Sequence, residues 1–190
     1  MLFDGNMRSL NRRLVLVTAL AALATPLAAH AKAPGFEGRI ALRLQDVDPQ
    51  GANYTIRGDR VSIDIPSVAH AHDLRIMFDS ARLPALDGAA REVSLERTGK
   101  LRSVVGQLCE EWALHQASGT VRACVVPGVA WVDPRRAIGV EVPAWSQRLE
   151  KERAFPLSVT DGADFSWATD VVRGKVPDSA FAAPPAMRIR

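Results

Sequence analysis

Both cysteines of the chain lie in one stretch, Thr98 to Val132, together with Trp112 and Trp131. Setting Cys109 opposite Cys124 on an antiparallel pair of strands places Glu111 against Arg122, Trp112 against Val121 and Leu108 against Val125, with His115 to Ser118 as a four-residue loop. One face then carries Leu108, Trp112, Leu114, Val121 and Val125, and the other carries the sulfur pair beside a charge pair. Opposed partners of this kind stabilise a sheet by roughly 0.2–1 kcal/mol each. A slip of one residue would turn the whole apolar set to the wrong side, so the pattern specifies which face is buried. A disulfide closing this loop would add about 3 kcal/mol in the chain-entropy picture. The competing arrangement is two free thiols packed as small hydrophobes.

Which of these holds depends on the compartment, and the N-terminus speaks to that. Arg8, Arg12 and Arg13 precede the apolar run Leu14–Leu23, and Ala29-His30-Ala31 offers small residues at a cleavage site. This order is the build of a secretory signal peptide over residues 1–31, cleaved after Ala31, and Met7 is a better start than Met1. The apolar run is short for a membrane span, although a retained anchor helix is the alternative. Export to the periplasm or the exterior makes a Cys109–Cys124 disulfide the expected state. Without the leader's three Arg and one Asp, the 24 basic and 21 acidic residues become 21 and 20, a net of +1. A near-neutral chain lacks the electrostatic footprint of a nucleic-acid binder.

Along residues 32–190 the dominant signal is period two. Ile40, Leu42 and Leu44 alternate with polar or small residues, as do Leu74, Ile76 and Phe78, and Val93 and Leu95. Tyr54 to Ile63 reads as a tight hairpin about Gly58-Asp59, with Ile56 facing Val61 and Tyr54 facing Ile63. Asp133-Pro134-Arg135-Arg136 reads as a turn. Pro143 to Arg153 is the one convincing helix, with Trp145 and Leu149 on its apolar side and the charges of Arg148–Arg153 facing water. Phe155–Val159 and Phe165–Val172 give two last strands, and Val176 to Phe181 a short turn that pins a Pro/Ala-rich tail. The expected fold is a single mainly β domain: a curved antiparallel sheet or incomplete barrel with one short helix.

Few residues suggest chemistry. His70-Ala71-His72-Asp73 could present two imidazoles on one side of an extended segment, but no third ligand has recognisable spacing, so no metal site is expected. Glu110 and Glu111 are adjacent on a strand and point to opposite faces, which prevents them from sharing a substrate. Glu110 falls on the apolar face and must find a partner there or shift its pKa upward. No nucleophile elbow, zinc-protease helix, phosphate loop or dinucleotide fingerprint occurs, so neither catalytic residues nor a cofactor is expected.

Several short motifs occur in a telling order: Gly35-Phe36-Glu37-Gly38-Arg39-Ile40, Gly58-Asp59-Arg60-Val61, Thr98-Gly99-Lys100, and Gly106 to Trp112. Phe155-Pro156-Leu157 and Val176-Pro177-Asp178-Ser179-Ala180-Phe181 with Pro184 complete the series. Over nearly all of Gly35 to Met187 the chain resembles a bacterial exported domain-of-unknown-function family similar to the LolA/LolB-like lipoprotein carriers. The resemblance implies an incomplete antiparallel barrel with an apolar concave face and no catalytic residues. The function expected from it is non-enzymatic binding or carriage of an acyl chain, lipid or lipoprotein, with Leu42, Ile56, Ile63, Phe78, Leu108 and Trp112 as the lining. The alternative is an envelope interaction or sensor protein with a filled interior and a protein partner on a sheet face or edge. Contact with a membrane surface is open in either case, as is the oligomeric state.

Overall fold

The computed structural model describes residues 35–45, 51–66, 74–161 and 164–182. The expected leader, its cleavage site and the His70–Asp73 stretch lie outside these residues. The strands are β1 (Glu37–Leu44), β2 (Ala52–Arg57), β3 (Arg60–Ile65), β4 (Leu74–Asp79), β5 (Ser94–Val104), β6 (Gln107–Gln116), β7 (Gly119–Pro127), β8 (Ala154–Asp161) and β9 (Asp164–Arg173). They form one open antiparallel sheet in the order β4-β3-β2-β1-β9-β8-β7-β6-β5. Two runs of sequence-consecutive antiparallel strands thus meet where β1 pairs with β9, and β4 and β5 are the edges.

The alternating strands bury the side chains that their pattern indicates. Ile40, Leu42 and Leu44 of β1, Tyr54 and Ile56 of β2, and Val61, Ile63 and Ile65 of β3 all enter one core. The β2–β3 register sets Ile56 against Val61 and Tyr54 against Ile63, as the Gly58-Asp59 turn requires. Gly51 makes the entry to β2 possible: its φ is +86, and a Cβ there would stand 1.9 Å from the Leu42 carbonyl oxygen.

The central hairpin follows the expected faces but not the expected register. Glu111 lies opposite Cys124, Trp112 opposite Ala123, Ala113 opposite Arg122 and Leu114 opposite Val121. The pairing is slipped by two residues because the connection is the two-residue turn Ala117-Ser118, closed by Gln116 and Gly119, rather than a four-residue loop. A slip of two leaves every side chain on its original face. Trp112, Leu114, Val121 and Val125 therefore still enter the core, while the sulfurs and Glu111 lie on the other side. Cys109 and Cys124 are bonded as diagonal neighbours with Cα atoms 5.4 Å apart. Arg122 still reaches Glu111, diagonally, at 3.2 Å. Replacing both cysteines by serine should cost about 3 kcal/mol, lowering Tm by about 6–12 °C for a domain of this size without changing the far-UV circular dichroism.

Two further elements depart from expectation. β5 runs on from the Val93–Glu96 strand to Val104 and turns at Val105-Gly106, making a long hairpin with β6. There are two helices, not one: α1 (Gly88–Glu92) precedes α2 (Ala144–Glu152). Asp87 caps α1 by accepting the Ala90 N–H at 2.7 Å. A five-residue helix carries too few turns to show a 3.6-residue period, which is why it escapes pattern reading.

Candidate functional site

The segment Val129–Leu149 lies over the core face of the sheet, and its side chains decide what the interior can hold. Trp131 stacks on Tyr54 of β2 at 5.5 Å and meets Phe155 of β8 edge-on at 5.1 Å. Tyr54 and Phe155 also touch, at 5.0 Å between ring centroids. On a flat sheet the three strand spacings from β2 to β8 amount to about 14 Å, so the sheet bends toward this face. Val129, Ala130, Val132, Trp145 and Leu149 are buried in the same cluster.

Of the six residues expected to line a concave pocket, Leu42, Ile56, Ile63 and Trp112 are buried in this packed core. Phe78 packs against its margin, half-buried. Leu108 shares the face of Trp112 but stands beyond the covered part of the sheet and is exposed.

A buried polar network locks the covering segment in place. Trp131 Nε1 donates to Ser146 Oγ at 3.0 Å, and the Ser146 hydroxyl donates to Asp133 Oδ2 at 2.5 Å. Asp133 caps the 3₁₀ turn Pro134–Ile138 by accepting the Arg135 N–H at 2.9 Å, and it pairs with the Arg135 guanidinium at 3.3 Å. Glu150 accepts the Asp133 N–H at 2.8 Å and takes Arg136 in a fork at 3.0 and 2.7 Å. Burial pushes the Asp133 carboxyl above its ordinary value, against the opposing pull of Arg135 and Ser146. The bond to Glu150 raises Arg136. Burial first, then Asp133 and Glu150, raises the Tyr54 phenol well above its usual range, so it stays protonated and donates to the Val132 carbonyl at 3.0 Å. The inward turn of Glu150 and Ser146 corrects the reading of α2 as apolar at Trp145 and Leu149 and charged elsewhere. The available signal was the i, i+4 spacing of Ser146 and Glu150 beside Trp145 and Leu149, which places a polar stripe next to the apolar one.

The opposite, outer face of the sheet carries a cleft of about 570 Å³. Its floor is Arg39 and Ala41 of β1, Asn53 and Thr55 of β2, Asp64 of β3, Arg75 of β4, and Asp170 and Val172 of β9. Its roof is Pro177, Ser179 and Ala180 of the C-terminal segment. That segment is strapped to the start of β1 and to the β2–β3 hairpin. The Val176 N–H donates to Glu37 Oε1 at 2.7 Å and Arg57 donates to the Val176 carbonyl at 3.0 Å. Farther along, Asp178 pairs with Arg57 and with Arg60, which together hold its carboxyl below the usual range. Phe181 lies under both guanidinium groups, 5.3 Å from Arg57 and 4.3 Å from Arg60. Sequence reading gave the strap as a short turn but not its partners, which lie more than a hundred residues upstream. Within the cleft Asp64 is paired with Arg75. The side chains of Arg39, Asn53, Thr55 and Asp170 have no polar partner among the described residues.

A second hollow, of about 620 Å³, lies between the loop before α1 and the start of α2. Three of its four polar lining side chains are already engaged: Asp87 binds Gln147 at 2.6 Å, and Arg136 binds Glu150. Glu110, on the core face, is met by Trp112 Nε1 at 3.1 Å, so its partner is an indole N–H rather than an arginine or backbone group. Among the described residues no three His, Cys, Asp or Glu side chains are placed to hold a metal ion, and no helix is long and apolar enough to cross a membrane. No family model, no curated protein and no solved structure gives a significant match to the chain.

Proposed function

We propose that this chain is a non-enzymatic interaction protein of the bacterial cell envelope, exported by its leader, with the sheet of a LolA/LolB-like incomplete barrel as its scaffold. Its partner is a protein segment received on the outer face, in the cleft beneath the C-terminal strap. The observation that carries this reading is the packed interior. Four of the six residues that a carrier would use as lining are buried beneath Trp131, Trp145 and Leu149 or beside them in the same core. The cleft on the outer face of the sheet is instead polar, with Arg39 and Asp170 in its floor lacking a polar partner among the described residues. Such groups suit main-chain amides and the side chains of a peptide better than an acyl chain, because an apolar ligand would leave them desolvated and unsatisfied.

Photo-crosslinking in the native envelope tests this. A photoreactive residue at Thr55 should give one discrete protein adduct, lost when Arg39→Glu and Asp170→Lys are added, whereas a probe at exposed Met77 should not. A stoichiometric lipid or acyl chain in the organic extract of the native protein, with no adduct at Thr55, would return the carrier reading.

A further inference from the structure

We propose that the tip of the β5–β6 hairpin is a membrane-docking element that takes a bilayer bearing anionic lipid. This surface is separate from the outer-face cleft, and the inference does not depend on the partner proposed there. The first observation is the turn. Val105 and Gly106 both have positive φ, 44° and 76°, the mirror-image geometry that favours Asn or Gly at its first position. A β-branched residue is strained there, because its branched Cβ crowds the backbone. This valine is also 49% exposed, so the chain bears strain and an uncovered apolar side chain at one position. Strain of this kind at a surface points to a function.

The second observation is what surrounds the turn. Leu101 and Leu108 lie on one side of the ladder and are 60% and 57% exposed. On the other side Lys100 and Arg102 stand 3.9 Å from Glu111, and Arg122 stands 3.2 Å from it. Three cations around one carboxylate leave a net positive surface behind an apolar tip. Arg173 adds another beside the turn, bonded to Gln107 at 3.0 Å. Exposed apolar side chains at the turn, with long basic side chains set back along the hairpin, match the boundary between acyl chains and anionic headgroups. Lysine and arginine reach the headgroups while their stems lie against the apolar layer.

An acidic peptide added along the β5 edge fits less well. The β5–β6 ladder is interrupted between Arg97 and Leu101, which breaks the edge that such a peptide would extend. A small free anion would leave Leu101, Val105 and Leu108 unused.

The test is cosedimentation with vesicles of phosphatidylcholine alone and of phosphatidylcholine mixed with phosphatidylglycerol. All variants are made in the same full chain, so that any contribution of the N-terminus is common to them. The protein should bind the mixed vesicles and be released by high salt. Lys100→Glu with Arg102→Glu should weaken binding by about tenfold or more. Val105→Asn separates docking from folding: Asn tolerates positive φ, so Tm should rise while vesicle binding falls. Equal binding to both vesicle types, or none to either, would overturn the proposal. So would full binding by Val105→Asn, or a loss of protein crosslinks rather than of vesicle binding when the tip is changed.

Discussion

Replacing Trp131 with alanine is expected to destabilise the domain by about 3–5 kcal/mol, the range for deleting a large aromatic side chain from a closed core. The indole packs against both the Tyr54 and Phe155 rings, so its removal opens a void that neither ring can fill from its own strand. It also leaves Ser146 Oγ without its donor beside a carboxylate. Urea denaturation should show a lower midpoint with little change in m, because the surface exposed on unfolding is nearly the same. The variant carries a second reading. If the interior is closed chiefly by this residue, the void should accept small apolar probes such as benzene, with a measurable rise in Tm on adding them. A loss below 1 kcal/mol would mean that Val129–Leu149 is a loose cover rather than part of the core.

Glu150→Ala should cost a similar amount, about 3–5 kcal/mol, but for a different reason. It leaves the partly buried Arg136 guanidinium without its fork and the Asp133 N–H without an acceptor. The loss therefore reflects stranded donors more than a vanished attraction. That distinction is measurable. Glu150→Leu combined with Arg136→Met removes both charges and refills the space, and it should recover most of the stability lost by Glu150→Ala. Additive losses in Glu150→Leu, Arg136→Met and their combination would show instead that the two residues act independently.

Much of the fold is legible because strand periodicity and turn chemistry are local. Ile40, Leu42 and Leu44 point inward for the same reason in the chain as in the sheet, and Gly58-Asp59 sets the β2–β3 register by itself. The faces of the central hairpin are legible too, since Trp112 and Leu114 are apolar where Cys109 and Glu111 are not. The exact pairing is not, because a two-residue slip leaves those faces unchanged, and only the length of the turn chooses between the two registers. The candidate site is legible in pieces: the strap as a turn and Arg39 as an outward strand position, whereas Asp170 faces outward only because the β1–β9 register shifts at Ala41/Leu42.

The sequence by itself indicated most of the strands and which of their sides is apolar, and it made a Cys109–Cys124 bond the expected state. Those properties depend on residues a few positions apart. The tertiary structure alone decided that β1 pairs with β9, that Trp131 closes the interior over Tyr54 and Phe155, and that Glu150 turns inward to Arg136. It also decided that the strap of Val176–Phe181 crosses to Arg57 and Arg60 to roof a cleft. Each of these joins groups far apart in the chain, and their energy appears only once the intervening loops have closed. No local pattern carries the choice among the many partners that a strand edge, an arginine or an indole could satisfy.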